Sequence, residues 1–526
     1  MLDEFVFVHE FLDTAARRTP DAVALVEPWR SITYGALNEL ANRFAQLLVA
    51  RGVARDDRVV LALENSIELV ACYFGAMKAG AVAVPLPPGP RSDRFVSAVR
   101  DCQPKACVID PATAQEEAPV AALADVSAVF VHRPKGARRA PTDGGGRQWP
   151  ELLPALDGCA VEDPQVRVID LDLAAIIYTS GSTGTPRGVM LTHQNIVANT
   201  TSIVEYLGLT AGDRVMCVLP FYYVYGLSLL HTHVAVGGSV VVDNRFVFPN
   251  VVLATMRQHR ATGFAGVPST FALLLHRSNL ATMEFPDLRY VTQAGGGMPA
   301  ARILEWLEKG PKVPFFVMYG ATEASARLTY LEPENLRRKL GSIGRAIPNV
   351  EMLVVKDDGE VAAPGEVGEL VARGTNISCG YWNDPIETRK RFGPQGYRTG
   401  DLGYADEEGF LYLVGRRHDM IKVGGQRVAA KEIEEVLNEH PGVHEVAVVG
   451  VPDDLLGEVP VAFVAVRDGH EADAAALLAF CRERLAWHKV PIRVEFRARL
   501  PKAAIGKLDK EALRRELKGE QPATHV

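Results

Sequence analysis

Long apolar runs are missing from this sequence. Its most hydrophobic windows, such as the one from Val215 to Val242, are broken by Pro220, Gly226, His231 and Gly237. None offers the ~20 uninterrupted apolar residues that a membrane-spanning helix needs. Paired cysteines are missing too. Cys72, Cys102, Cys107, Cys159, Cys217, Cys379 and Cys481 are scattered with no CxxC spacing, which argues against a zinc site and a disulfide framework. Buried free thiols in a reducing cytoplasm are expected. Positive charge is not in excess either: the net charge of −7 argues against nucleic acid as a main partner. The first residues, Met1-Leu-Asp-Glu-Phe5, lack the basic and apolar regions of a signal peptide, and a cytoplasmic location is expected.

What is present is enough apolar material for a soluble globular protein, 48% over 526 residues, which exceeds one core and predicts at least two domains. The first half alternates helical spacing with short apolar runs. A helix is expected over Asn38–Arg51, a strand over Val59–Leu63, a helix over Ile67–Met77 and a strand over Ala81–Val84. That rhythm predicts doubly wound α/β layers with ligands at the carboxyl ends of the strands. From Gly359 onward, short strands and Gly/Asp turns predict a β-rich subdomain. After Gly415-Arg-Arg-His418 comes a compact α+β unit: helix Lys431–Glu439, strands Glu445–Val451 and Val459–Val466, helix Ala472–Leu485, strand Arg493–Phe496, and a last helix from Lys510. The polar stretch Gly136–Arg147 reads as a surface loop. From Arg484 to Val526 there are eleven Lys/Arg against five Asp/Glu, a basic lobe suited to face a polyphosphate.

The chemistry is most concentrated in Tyr178-Thr-Ser-Gly-Ser-Thr-Gly-Thr-Pro-Arg-Gly188, which follows the apolar strand Leu173–Ile177. Six hydroxyl side chains are interleaved with three glycines. Glycine lets backbone N–H groups approach an anion, hydroxyls add uncharged donors, and Arg187 supplies a cation. The loop reads as a phosphate cradle. It is not a Walker A loop, which ends in Gly-Lys-Ser/Thr.

This loop resembles the signature of the adenylate-forming superfamily, whose members include acyl-CoA synthetases, nonribosomal peptide adenylation domains and firefly-type luciferases. Seven further matches follow in the expected order: Ile32–Leu37, Lys78–Pro85, Tyr319-Gly-Ala-Thr-Glu323, Gly368–Leu370, Tyr397–Asp401, Gly415-Arg416 and Gly506-Lys507. The resemblance implies a large N-terminal adenylation domain, 1–416, and a small mobile C-terminal domain, 417–526. It also implies ATP and Mg²⁺, with CoA or carrier-bound phosphopantetheine as co-substrate.

The roles it implies are specific. Thr179, Ser180, Gly181, Ser182, Thr183 and Gly184 would wrap the phosphates, with Arg187 standing where the family usually has lysine. Glu323 would hold Mg²⁺ and Thr322 the α-phosphate, although a Gly-x-Thr-Glu is equally a helix cap. Tyr319, Gly320 and Ala321 belong to the same nucleotide-binding loop. Gly295, Gly296 and Gly297 would form a flat wall beside adenine, Asp401 would accept from the ribose hydroxyls, and Arg416 would contact ATP from the hinge. Lys507 would be the catalytic lysine, and Lys502 a solvated one. His418 occupies the hinge, where Asp or Lys is commoner, and Gly424 and Gly425 would line the phosphopantetheine tunnel.

For the acid, Tyr223, Val224, Gly226 and Val267 are the expected pocket, with Tyr223 as an aromatic gate. No aspartate stands nearby to pair with an α-ammonium, which disfavours amino acids. Fatty and aryl acids both stay open, with fatty acids favoured. An acyl-CoA ligase is expected. Loading of an acyl carrier protein is the alternative, and a luciferase-like oxidase a distant one.

Overall fold

The computed structural model describes residues 5–89, 92–134, 149–179, 186–467, 469–470, 473–502 and 508–517. The stretch 136–147, the loop residues Ser180–Thr185 and Lys507 lie outside the described residues.

The N-terminal body is built on two sheets. In the smaller one the strand order is Ala128–Val131, Ala106–Ile109, Arg58–Ala62, Val82–Pro85, Leu173–Thr179, Arg187–Thr192, parallel except for the last. Its strands are apolar on both faces because both are covered. Val59 and Leu61 point into one core, and Val60 and Ala62 into another. Helix Ile67–Lys78 is buried along its whole length because it packs between the two sheets rather than on the surface. Lys78 is tolerated there because Asp13 and Asp163 pair with its ammonium. Helix Tyr34–Ala50 begins four residues earlier than the apolar spacing suggested, since the Thr33 side chain accepts from the Ala36 N–H and caps it.

The larger sheet has a parallel part, in the order Phe315–Tyr319, Tyr290–Gln293, Gly263–Gly266, Arg214–Cys217, Ser239–Val242, Val23–Glu27, with Arg30–Thr33 antiparallel at the edge. Because neighbouring strands run the same way, the segments after Cys217, Gly266, Gln293 and Tyr319 all leave from one edge. The β-rich region expected from Gly359 onward is present, and it is joined to the large sheet. Strands Thr329–Leu331, Ser342–Ala346, Leu411–Arg416, Gly396–Ala405, Gly368–Gly374 and Val350–Val355 continue the same sheet in antiparallel fashion.

The small C-terminal domain has a five-stranded sheet of Gln426–Ala429, Met420–Val423, Gly457–Val466, Val443–Asp453 and Arg493–Phe496. Helices Ala430–Glu439 and Ala474–Arg482 pack on one face and Lys510–Leu517 on the other. The second of these is shorter than its apolar span because Asp473 caps it. All seven cysteines are free. Five are buried as expected, but Cys159 is half-buried and Cys379 exposed, since both sit outside regular elements.

Candidate active site

Four segments with expected roles leave the carboxyl edge of the large sheet side by side: Leu219–Gly226, Val267, Ala294–Gly297 and Gly320–Glu323. Val267 opens helix Pro268–Arg277, and a Cβ added at Gly295 would lie 3.0 Å from its Cγ1. The expected acyl pocket and adenine wall therefore touch. Behind the glycines, Gln293 donates from Nε2 to the Gly296 carbonyl at 2.8 Å and braces the run.

Asp401 is reached across the antiparallel extension. The Tyr319 hydroxyl donates to it at 2.6 Å, and Arg416 Nε lies 3.2 Å from its other oxygen. Burial, then the neighbouring Asp401 carboxylate, raises the Tyr319 phenol and keeps it protonated. Three residues assigned separately thus form one polar cluster at the edge of the N-terminal body.

Glu323 lies in a short 3₁₀ turn, Thr322–Ala324. Thr322 does not cap that turn: Ala321 is the capping residue and makes no side-chain bond. The Tyr381 hydroxyl donates to Glu323 Oε1 at 2.7 Å, and no described residue bonds Oε2. Arg187 stacks over the same tyrosine ring at 5.8 Å and pairs with Asp384 at 3.2 Å and Glu387 at 3.7 Å. Its charge is therefore shared with two carboxylates. Segment Gly380–Trp382 runs beside strand Arg187–Thr192, through Met190 N–H to Gly380 O and Trp382 N–H to Gly188 O. That places Tyr381 between Glu323 and Arg187. Tyr381 carries no sequence pattern of its own that points to this position.

Thr179 ends strand Leu173–Thr179, and its hydroxyl lies 3.5 Å from the Arg187 carbonyl. The rest of the cradle, Ser180 to Gly184, lies outside the described residues. On the acid side, Tyr223 is half-buried, its ring 4.6 Å from that of Tyr222. Val224 starts helix Val224–Ala235 and is half-buried. Gly226 is buried against the Pro220 carbonyl, where a Cβ would sit 2.2 Å away, so the fold demands glycine there. Tyr225 turns into the core, and its hydroxyl bonds Thr292 at 3.0 Å.

In the small domain, Gly424 and Gly425 have φ of 55° and 83° and close the two-residue hairpin between Met420–Val423 and Gln426–Ala429. Positive φ at both central residues is the mirror-image turn that suits strand twist. His418 lies in the turn Arg417–Asp419, where burial lowers its imidazole and Asp419 partly offsets that. Arg417 reaches back to Asp357 at 2.8 Å. Lys502 pairs with Glu445 at 3.0 Å and forms a β-bridge with Leu508.

A layered α/β body with hydroxyl, acidic and glycine-rich segments at one strand edge, followed by a small α+β domain, defines a two-domain nucleotide-dependent enzyme. Residues 12–382 match the model of the AMP-binding enzyme family and 432–507 that of the AMP-binding enzyme C-terminal domain. The chain belongs to the AMP-binding enzyme family, among its acid–thiol ligases. It is 33% identical over 509 residues to the indoleacetate–CoA ligase of Aromatoleum aromaticum, covering 96% of this chain and 97% of that one. It is 31% identical over 546 residues to a long-chain-fatty-acid–CoA ligase of Bacillus subtilis, covering 98% and 95%. The solved o-succinylbenzoate CoA synthetase of Bacillus subtilis with its acyl-adenylate superposes at a TM-score of 0.84 with 29% identity, covering 96% and 97% of the two chains. That synthetase is also solved with ATP and magnesium ion. These relatives activate chemically different acids, and no one acid class is singled out among them.

Proposed function

We propose that this chain activates a carboxylic acid lacking an α-amino group with ATP, as an acyl-adenylate, and passes the acyl group to the thiol of CoA. The observation that carries this is the meeting of the Leu219–Gly226, Val267, glycine-run and Tyr319–Glu323 segments at one sheet edge, with Asp401 beside them.

The first step brings two anions together: a carboxylate attacks the α-phosphate and expels pyrophosphate. Positive charge and oriented donors must therefore surround the reacting atoms. Thr179 to Gly184 would cradle the phosphates, Thr322 the α-phosphate, Asp401 the ribose hydroxyls and Lys507 the developing charge. Arg187 fits as an outer cation, since Asp384 and Glu387 already share it. Glu323 fits a magnesium ion: one oxygen is fixed by Tyr381 and the other is bonded by no described residue. Among the described residues no three His, Cys, Asp or Glu converge. The ion would thus take one carboxylate and complete its shell with phosphate oxygens and water. Bound there, it would neutralise phosphate charge.

In the second step the thiol attacks the acyl carbonyl and AMP leaves. Gly424 and Gly425 would line its path once the small domain, residues 417–526, has turned. CoA is the acceptor named for the relatives, and a carrier protein stays the second reading. The seven free thiols fit a cytoplasmic enzyme. Among the described residues no helix is long and apolar enough to cross a membrane. The sequence favours fatty acids as the acid class.

The test is acid-dependent exchange of pyrophosphate into ATP across fatty, aryl, dicarboxylic and amino acids, followed by a thioester assay with CoA. Exchange with amino acids alone would overturn the reading. The turn is tested separately. His418→Pro fixes φ where the domain must swivel. Exchange should stay within a few-fold while thioester formation falls about 10²-fold, as expected when a conformational step is blocked. Equal loss of both steps would place the hinge elsewhere.

A further inference from the structure

Arg327 has no task in the reaction above, and its surroundings are unusual. It is buried, at 2% exposure, yet no carboxylate among the described residues pairs with it. Its Nε donates to the Tyr206 hydroxyl at 3.2 Å, and its guanidinium carbon lies 4.9 Å from the Tyr225 ring centroid. No described residue accepts from its two terminal nitrogens. The other buried Lys and Arg among the described residues are satisfied: Lys78 has Asp13 and Asp163, and Lys339 has Asp406 and Glu408. Burial raises the phenols of Tyr206 and Tyr225, so neither supplies a negative charge at neutral pH. A buried guanidinium without a counter-charge is costly, and its planar fork matches a carboxylate.

Its position points to a ligand for that fork. Tyr225, over which it lies, is in the first turn of helix Val224–Ala235, beside Val224 and Gly226. The Arg327 Cα is also only 3.0 Å from where a Cβ at Gly320 would be. The guanidinium thus sits between the nucleotide loop and the helix assigned to the acid. The backbone leading to it is bent: Ser325 and Ala326 have φ of 56° and 126°, a region L side chains rarely adopt. Asn376 Nδ2 donates to the Ala324 carbonyl at 3.1 Å and the Arg327 carbonyl at 3.0 Å, and Asn199 Nδ2 donates to the same Arg327 carbonyl at 3.0 Å. Two asparagines hold the strained loop so that the arginine faces inward.

We propose that Arg327 determines acid specificity by binding a second carboxylate, so that the substrate class is dicarboxylic acids rather than plain fatty acids. This rests on the acid-activating reading above and names the substrate class of the same site. One carboxylate is activated, and the other stays ionised in the fork of Arg327 against Tyr225.

The experiment uses the full chain in pyrophosphate exchange, with straight-chain and aryl dicarboxylic acids each compared with its monomethyl ester. The ester keeps size and loses only the charge. The diacid should exceed its half-ester about 10⁴-fold in kcat/KM, the scale on which a site built for a polar group rejects its analogue. Arg327→Met should collapse that ratio towards unity by lowering diacid activity, with half-ester activity held within a few-fold. Arg327→Lys should restore part of it. A wild-type enzyme that uses half-esters and fatty acids as well as diacids would overturn the assignment even if the variants fail to fold. So would equal loss on every acid in a folded Arg327→Met protein, which would make Arg327 a packing residue. Absence of exchange with any acid would instead overturn the acid-activating function itself.

Discussion

Replacing Lys507 by alanine will abolish acyl-adenylate formation and leave thioester formation from supplied acyl-adenylate near its normal rate. In the sequence the lysine falls between Lys502 and Leu508, far from the Gly424-Gly425 hairpin although both belong to the C-terminal region. If each serves one half-reaction, removing one leaves the other intact. A compact ammonium acts where charge develops on the pentavalent phosphorus, so its loss is felt in the transition state. Removing one such donor costs about 10³-fold, or ~4 kcal/mol of transition-state stabilisation. Pyrophosphate exchange with the preferred acid reads the first step, and CoA thioester from synthetic acyl-adenylate reads the second. Near-normal exchange in Lys507→Ala would remove the lysine from the reaction. Loss of both steps would mean that the two surfaces are not separable.

Much of the scaffold could be read from local pattern. Apolar runs such as Val59–Leu63 are strands buried on both faces, and the length of such runs separates them from helices. The C-terminal order of helices and strands is legible for the same reason, with ends shifted by caps such as Asp473. Pairing between distant strands was not legible. Ser342–Ala346 lies against Leu411–Arg416, and nothing local says that this pairing extends the parallel sheet instead of starting a new one. The site divides in the same way. Tyr319 and Asp401 are 82 residues apart, and their hydrogen bond follows only from the antiparallel extension. Tyr381 and Gln293 carry no distinctive spacing. Arg327 did leave a trace: it is a lone cation in the otherwise uncharged stretch Ala324–Leu331, where a buried strand begins.

Gly320→Ala will damage both half-reactions, whereas Gly297→Ala will raise the KM for ATP without lowering stability. A Cβ at Gly320 would lie 1.7 Å from the Ala326 carbonyl oxygen and 2.7 Å from its carbon. Those are backbone atoms of a segment pinned on either side, at the Ala324 and Arg327 carbonyls, by Asn376 and Asn199, so they cannot step aside as a side-chain tip would. The Ala321–Arg327 segment must shift as a unit and carry Thr322, Glu323 and Arg327 with it. Misplacing a reacting group by about 1 Å costs about 10²-fold in rate, and the strain should remove ~2–3 kcal/mol of stability. Gly297 is the opposite case, because nothing lies within 4 Å of its added Cβ. The fold has no need of glycine there, so any cost must come from a ligand that approaches the backbone closely. Gly295 cannot serve as this probe, since its φ of 82° and its contact with Val267 already demand glycine. Thermal denaturation with ATP titration separates the two outcomes. An unchanged ATP KM in Gly297→Ala would mean that the glycine run is not the adenine wall. A Gly320→Ala protein with normal stability and exchange would mean that the loop carrying Glu323 can move without consequence.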